Sequence, residues 1–330
     1  MNGTWELCPF GVAPGERLAV WELTRACPYR CAHCLVDGGE GNPYIENPAD
    51  TARMLEDIGV REVVLSGGEP LLYPQAEEVI DLLVRAGSRV SICTTATLVD
   101  AQRAIRLRGK GLESAILSLD GATAAAHESI RHGPPSYAPM LTGCRALIAA
   151  GIPVDLTLTL GSHNAGEVDL VADLADRLGA RSLAVVPLLP LGRASRDVDL
   201  TPGDAACRLA AEAAVRASGR LGMSIQRVRL PHPTDSGPPE AQCPASDLVT
   251  LTANGMVGTC PWLTAAGEGV CADDNVGLPS RYSQALAAAR AIAAGRPPGL
   301  GCPLAAFQAG RGISGRDPLF DSGLPAGDES

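Results

Sequence analysis

Two kinds of block alternate along the first two-thirds of the chain. Short apolar runs, dense in Val, Ile and Leu, occupy residues 18–23, 63–65, 90–93, 115–119, 154–160 and 182–188. Between and after them, apolar positions three or four apart occupy residues 48–58, 75–86, 99–107, 140–150, 165–178 and 202–218. The first kind predicts buried strands and the second amphipathic helices. Gly59, Gly87 and Gly151 follow directly on helical blocks, where a residue without a Cβ closes the last turn in the left-handed conformation. Six strand-then-helix units predict an α/β fold with a parallel sheet and right-handed crossovers. In such folds chemistry gathers at the carboxyl ends of the strands. Cys27, Gly67, Thr94 and Asp120 all fall at such ends.

The pattern changes after residue 230. Residues 231–242 are rich in Pro and read as a linker. Residues 243–302 carry Cys243, Cys260, Cys271 and Cys302, and the stretch after residue 316 has little to bury. The expected organisation is an N-terminal segment over 1–15, a core domain over 16–230, a cysteine-bearing extension over 231–316 and a mobile tail over 317–330.

Composition narrows the function. The net charge is −10 and the basic residues are scattered, so a nucleic-acid partner is not expected. Aromatic residues are 3% of the chain, too few for a base-stacking surface. There is neither a basic segment leading into an apolar run at the start nor a long uncharged apolar stretch. A signal peptide and a membrane span are therefore not expected, and the chain reads as cytoplasmic. Eleven cysteines, an odd number in a reducing compartment, argue for metal rather than for a disulfide framework.

Cys27, Cys31 and Cys34 lie within eight residues, directly after the first predicted strand. Thiolates are soft ligands that suit iron–sulfur clusters or zinc. Three of them on one curled loop fit a [4Fe–4S] cluster whose fourth iron stays open to chelate a small molecule through an amine and a carboxylate. The competing readings are a structural zinc site, with His33 or a distant cysteine as fourth ligand, and unrelated thiols. Structural zinc ordinarily draws on paired Cys-x-x-Cys elements.

The spacing Cys-x-x-x-Cys-x-x-Cys after a first strand resembles the signature of the radical S-adenosylmethionine (radical SAM) superfamily. Further motifs follow in that family's order. Ser66-Gly67-Gly68-Glu69-Pro70 ends the second strand and is similar to the family's GGEP motif. There Gly67 and Gly68 would let backbone approach the methionine end of SAM, and Glu69 would brace the loop. Thr94 ends the third strand, where relatives place ribose contacts, although Ala96 departs from their Thr-Asn-Gly. Ser118 and Asp120 end the fourth strand and are further candidate contacts. Arg131 occupies the place of an arginine that pairs with the SAM carboxylate in peptide-modifying relatives, a task suited to a planar guanidinium. His33 falls at the family's aromatic position near the adenine. The resemblance covers roughly residues 16–200 and is strongest toward the peptide maturases that include the mycofactocin maturase. It implies a partial (β/α)6 TIM-like barrel holding an open-iron [4Fe–4S] cluster and SAM.

Residues 248–257 read as a hairpin around Asn254-Gly255, flanked by Cys243 and Cys260. With Cys271 and Cys302 these make four candidate ligands. The region resembles the start of a SPASM extension, but the later run of cysteines is missing near Cys302. The resemblance therefore implies one auxiliary [4Fe–4S] cluster, as in the shorter Twitch extension; reduced structural thiols and zinc are the alternatives. Cys93, Cys144 and Cys207 read as core thiols. Cys8, in a loop ahead of the first strand, is a candidate hydrogen-atom donor if its placement is not chance.

Together these features imply reductive cleavage of SAM to a 5′-deoxyadenosyl radical that takes hydrogen from a substrate C–H bond, with the protein positioning the substrate and excluding water. Arg131 and the SPASM-like hairpin point to cross-linking, oxidation or epimerisation of a ribosomally made peptide. The alternative is a dehydrogenase or epimerase acting on a small molecule such as an aminoglycoside. Expected partners are the precursor peptide or small molecule and an electron donor of flavodoxin or ferredoxin type. The stretch before Cys27 leaves no room for a leader-peptide recognition domain, so a separate protein is expected to supply one. A purely structural iron–sulfur or zinc module, leaving SAM intact, is the non-enzymatic alternative.

Overall fold

The computed structural model describes residues 5–6, 16–39, 47–228, 247–265, 279–285 and 287. Ten strands form one sheet: β1 (Trp5–Glu6), β2 (Arg17–Thr24), β3 (Val60–Gly67), β4 (Arg89–Thr94), β5 (Ser114–Ser118), β6 (Val154–Leu160), β7 (Ser182–Pro187), β8 (Ser224–Val228), β9 (Leu248–Leu251) and β10 (Val257–Gly258). Across the sheet the order is β1-β8-β7-β6-β5-β4-β3-β2-β9-β10. Every neighbouring pair is parallel except β9 with β10. Among the described residues its ends are β1 and β10, so the described sheet stays open; a mostly parallel α/β sheet of partial-barrel type is as expected.

Helices α1 (Pro48–Asp57), α2 (Ala76–Arg85), α3 (Ala101–Gly109), α4 (Ala124–Glu128), α5 (Tyr137–Ala149), α6 (Val168–Leu178) and α7 (Asp204–Arg220) connect the strands, and α8 (Pro261–Ala265) follows β10. Their ends obey local chemistry. The Asn47 carboxamide accepts from Ala49 N ahead of Pro48, and Asp100 accepts from Arg103 N, each satisfying a backbone donor that the first turn leaves open. The Asp100 cap is why α3 starts at Ala101 rather than at residue 99.

Strand alternation divides the core. Trp21, Leu23, Leu65, Ile92 and Leu117 pack against helical Leu55, Leu83, Leu107 and Leu147 in the main apolar cluster. The opposite, inner face carries a smaller cluster of Leu18, Val20, Val64 and Leu248. Toward the carboxyl ends the inner face turns polar, with Glu22 beside Ser66 and Ser118 beside Thr157 in register. Cys144 and Cys207 are buried core thiols, as expected. Cys93 is not: it is half-buried on the inner face, against the smaller cluster.

Two features depart from the sequence expectation. β1 and β8 were not anticipated; β8 carries Gln226 and Arg227 and lacks a continuous apolar run. The hairpin β9–β10 turns at Asn254-Gly255 as expected, with Gly255 at φ +81°, but it also extends the core sheet. β9 lies parallel to β2, with Leu18 opposite Leu248, because all four β9 residues are buried and must be covered on both faces. Cys8, Cys243, Cys271, Cys302, the linker at 231–242 and the tail at 317–330 lie outside the described residues. Among the described residues no helix is long and apolar enough to cross a membrane.

Candidate active site

The cysteine-bearing loop is tied at its mouth and along its flank. Cys27 N donates to Gly39 O and Gly39 N to Arg25 O, both at 2.9 Å. Arg30 N donates to His132 O at 2.6 Å and Ala32 N to Ile130 O at 2.9 Å, which fixes the loop against the segment after α4. Cys27, Cys31 and Cys34 are all half-buried on this loop. Burial raises the Cys27 thiol and pushes Cys31 up to about 11, against the pull of the Arg131 guanidinium. Bare thiolates are therefore disfavoured, and a positively charged iron centre would supply the missing compensation. Gly38 N already points at Cys34 Sγ, 3.3 Å away. His33 Nδ1 is buried without a partner, so it has a hydrogen bond to offer a bound group. Among the described residues no three His, Cys, Asp or Glu side chains stand close enough to share a single metal ion, a condition that a multi-iron cluster does not impose. The donor set thus fits an iron–sulfur cluster.

The Gly67-Gly68-Glu69 turn lies across the start of this loop. A Cβ on Gly67 would sit 2.2 Å from Thr24 O, and one on Gly68 2.3 Å from Ala26 O. Gly68 N and Glu69 N donate to Thr24 O and Ala26 O. The glycines are thus demanded by the chain's own close approach at residues 24–26, beyond any ligand. Glu69 is fully buried. Its carboxylate accepts from Leu71 N at 3.1 Å, Thr94 Oγ1 at 2.7 Å, and Thr95 N and Oγ1 at 2.8 and 2.6 Å. It braces the ends of β3 and β4, as the sequence suggested. The Thr94 hydroxyl also accepts from Ala96 N, so its donor and one acceptor position are engaged within the protein. Ala96 itself takes φ +57°, a conformation Asn or Gly adopts more readily.

At the end of β5, Asp120 is fully buried. Its Oδ2 accepts from Arg131 Nε and Nη2 at 3.0 and 2.7 Å, and its Oδ1 from Thr159 N at 3.1 Å. His33 Nε2 lies 3.7 Å from Oδ2. Burial would raise this carboxyl, but the charge of Arg131 and the nearby histidines hold it well below the usual range. Asp120 thus fixes Arg131 beside Cys31 and Cys27. Sequence reasoning missed two further members. His127 Nδ1 accepts from Asp120 N, and Asn164 Nδ2 donates to Asp120 O and Thr159 O. Burial lowers both His33 and His127 to about 4, so both are neutral near pH 7. Neither His127 nor Asn164 stands in a recognisable motif; only their partners reveal them.

Glu22 was missed as well. It is 8% exposed on the inner face of β2 and accepts from Ala253 N at 3.2 Å, joining core strand to hairpin. Burial, opposed by that hydrogen bond and by Arg25, raises it to about 7. It lines a cavity of about 310 Å³ with Arg25, Val36, Gly192, Asn254 and Met256. Of the four candidate auxiliary ligands only Cys260 is described; it is buried just before α8.

A thiol loop after the first core strand, with braced turns at the following strand ends, defines a class. Residues 21–175 match the family model described as the radical SAM superfamily and form a domain of that family. Among curated relatives, the AdoMet-dependent heme synthase of Methanosarcina barkeri is 33% identical over 57% of this chain and 55% of its own length. The mycofactocin maturase MftC of Mycobacterium ulcerans is 34% identical over 52% of this chain and 47% of its own. The chain thus spans about half the length of these relatives. The crystal structure of Streptococcus suis SuiB bound to precursor peptide SuiA shares the fold, with a TM-score of 0.67 at 14% identity over 81% of this chain and 64% of that one. The superfamily and the likeness to a peptide maturase agree with the sequence reading; the likeness to heme synthases was not foreseen.

Proposed function

We propose that this chain is a radical SAM enzyme that modifies a ribosomally made peptide by cross-linking, oxidation or epimerisation. The observation that carries this reading is the half-buried triplet Cys27, Cys31 and Cys34, fixed between the Glu69 brace and the Asp120–Arg131 pair. In this reading the three thiols hold a [4Fe–4S] cluster with an open iron for SAM. When bound, this pair supplies an electron and a carbon-centred radical able to take hydrogen from an unactivated C–H bond. The protein's share is placement. Asp120 holds two nitrogens of Arg131, leaving its Nη1 edge for the SAM carboxylate. His33 offers its unpartnered Nδ1 on the adenine side, and the Gly67–Gly68 turn and Ser118 border the same strand ends. Neutral His33 and His127 add no charge to the site. The polar inner face then orients the substrate and excludes water.

The peptide substrate is supported by the likeness to a mycofactocin maturase and by the fold shared with SuiB. Cys260, with Cys243, Cys271 and Cys302, would hold one auxiliary [4Fe–4S] cluster. A flavodoxin- or ferredoxin-type donor, a separate leader-recognition protein and a cytoplasmic setting complete the proposal. The likeness to heme synthases favours a second reading, in which the substrate is a small molecule. Anaerobic reconstitution, iron counting and assay of 5′-deoxyadenosine test the core claim. About eight irons should bind, and about four should remain once Cys27, Cys31 and Cys34 are replaced by Ala. Absence of 5′-deoxyadenosine under reducing conditions would defeat the enzymatic reading. SAM turnover with a tetrapyrrole or amino sugar, and no mass change on any candidate peptide, would defeat the peptide.

A further inference from the structure

One arginine far from the cysteines in sequence grips their loop. Residues Gly192–Arg196 form a short 3₁₀ turn soon after β7. Arg193 donates from Nη1 to Cys31 O at 2.8 Å, from Nη2 to Gly38 O, and from Nε to Asp37 Oδ1 at 2.8 Å. Its backbone N donates to Cys34 O at 2.9 Å. One residue thereby holds the carbonyls of two of the three thiol-bearing residues and both sides of the turn that follows them. Arg196 holds the other Asp37 oxygen at 2.8 Å. The approach is so close that a Cβ on Gly192, at φ +59°, would lie 2.1 Å from Leu35 O and 2.5 Å from Cys34 O.

The grip has a chemical consequence at Cys34. Asp37 is one of two non-glycine residues with positive φ among those described, at +51°, a conformation that costs energy in a residue with a Cβ and that the two arginines secure. The turn it makes sets Gly38 N on Cys34 Sγ at 3.3 Å. Hydrogen bonds to ligating sulfur, and cationic charge beside it, favour the reduced and more negative state of an iron–sulfur cluster. We propose that Arg193 is a positioning residue of the cluster site: with Asp37 it folds the end of the loop back so that the Gly38 N–H meets the Cys34 sulfur, and so sets the reduction potential of the cluster. The inference rests on the reading that Cys27, Cys31 and Cys34 hold a cluster, and it assigns Arg193 and Asp37 a role in electron entry.

The test uses the full chain, reconstituted anaerobically with iron and sulfide, in wild type, Arg193→Met and Arg193→Lys. Arg181→Met serves as control, since Arg181 makes a comparable ion pair with Asp155 away from the loop. Midpoint potential and the electron paramagnetic resonance signal are read, the latter with and without SAM, because only a cluster with an open iron responds to it. Arg193→Met should move the SAM-responsive signal and shift its potential to more negative values. Arg193→Lys should recover part of the shift, and Arg181→Met should leave both unchanged. Wild-type potential and signal in Arg193→Met at equal iron content would overturn the proposal. If Arg193→Met takes up no iron, the milder Arg193→Lys decides: a smaller shift in the same direction supports the role and an unchanged potential overturns it. A wild-type chain that assembles no SAM-responsive cluster would instead defeat the cluster reading itself.

Discussion

Replacing Glu22 by Gln changes one atom, and its effect on stability should depend on pH. Glu22 is almost fully buried between β2 and the hairpin, and burial raises its carboxyl from the ordinary 4.5 to about 7. Between those values the folded chain keeps a proton that the unfolded chain has released. The stability associated with that proton is complete below pH 4.5 and is lost as pH rises through 7. Each pH unit in that window costs the folded state about 1.4 kcal/mol, so the full loss is about 3 kcal/mol. Gln retains an oxygen for the Ala253 N–H, never ionises and has nearly the same shape. The variant should therefore match wild type near pH 4.5 and exceed it by about 3 kcal/mol at pH 8. Urea unfolding of both proteins at equal cluster content across this range, followed by Trp fluorescence, measures the difference. A stability gap that does not change with pH, or a variant weaker than wild type at pH 8, would refute the account of Glu22 as a carboxyl that folding desolvates.

Other expectations follow from the same geometry. Asp120→Ala removes the one oxygen that accepts from both Nε and Nη2 of the buried Arg131 guanidinium, which should cost about 3–5 kcal/mol and weaken SAM binding in calorimetric titration; unchanged SAM affinity would argue against Arg131 as the carboxylate partner. His127 is lowered to about 4 by burial, so the unfolded chain takes up its proton first as pH falls through 6.5. The folded state should lose about 2 kcal/mol from this residue by pH 5, and His127→Asn, with an amide oxygen to accept from Asp120 N, should flatten that acid limb of the unfolding profile. Gly68→Ala would put a Cβ 2.3 Å from Ala26 O; a cost of about 1–3 kcal/mol and reduced iron uptake on reconstitution are expected.

The legible parts of this molecule were those written in local pattern. Strands β2 to β7 announce themselves because the helix-covered face of each needs apolar residues, and Asn254-Gly255 announces its turn. The thiol loop is legible because its ligands are close in sequence. What was not legible depends on who meets whom. β8 mixes apolar residues with Gln226 and Arg227, so it carries no buried-strand signal. Gly67 and Gly68 look like ligand cradles until Thr24 O and Ala26 O appear against them. Cys93 reads as core from its strand alone; only the register, which puts it opposite Ile116, turns it to the inner face.

The candidate acids show why side-chain roles resist sequence reading. Glu69 and Asp120 stand out in the sequence and Asp37 does not, yet all three accept from protein donors. Glu69 joins the ends of β3 and β4, Asp120 joins β5 to β6 and to Arg131, and Asp37 joins the thiol loop to Arg193. A buried carboxylate such as Glu69 or Asp120 is costly unless every oxygen is matched; these two, with the part-exposed Asp37, act as ties between segments distant in sequence. Under the proposed radical chemistry, rigidity matters more here than in most sites. A carbon-centred radical reacts with whatever C–H bond lies nearest, so selectivity rests on fixed distance and on exclusion of water rather than on intrinsic reactivity. If that reasoning holds, loosening any one tie should first show as SAM cleavage uncoupled from product, with 5′-deoxyadenosine formed in excess of modified substrate, before the fold itself is lost. Glu69→Gln is the sharpest case, since an amide can accept at one atom only where the carboxylate accepts at two. Its ratio of 5′-deoxyadenosine to product should rise while its unfolding midpoint falls only modestly; a ratio equal to wild type would show that the ties serve stability alone.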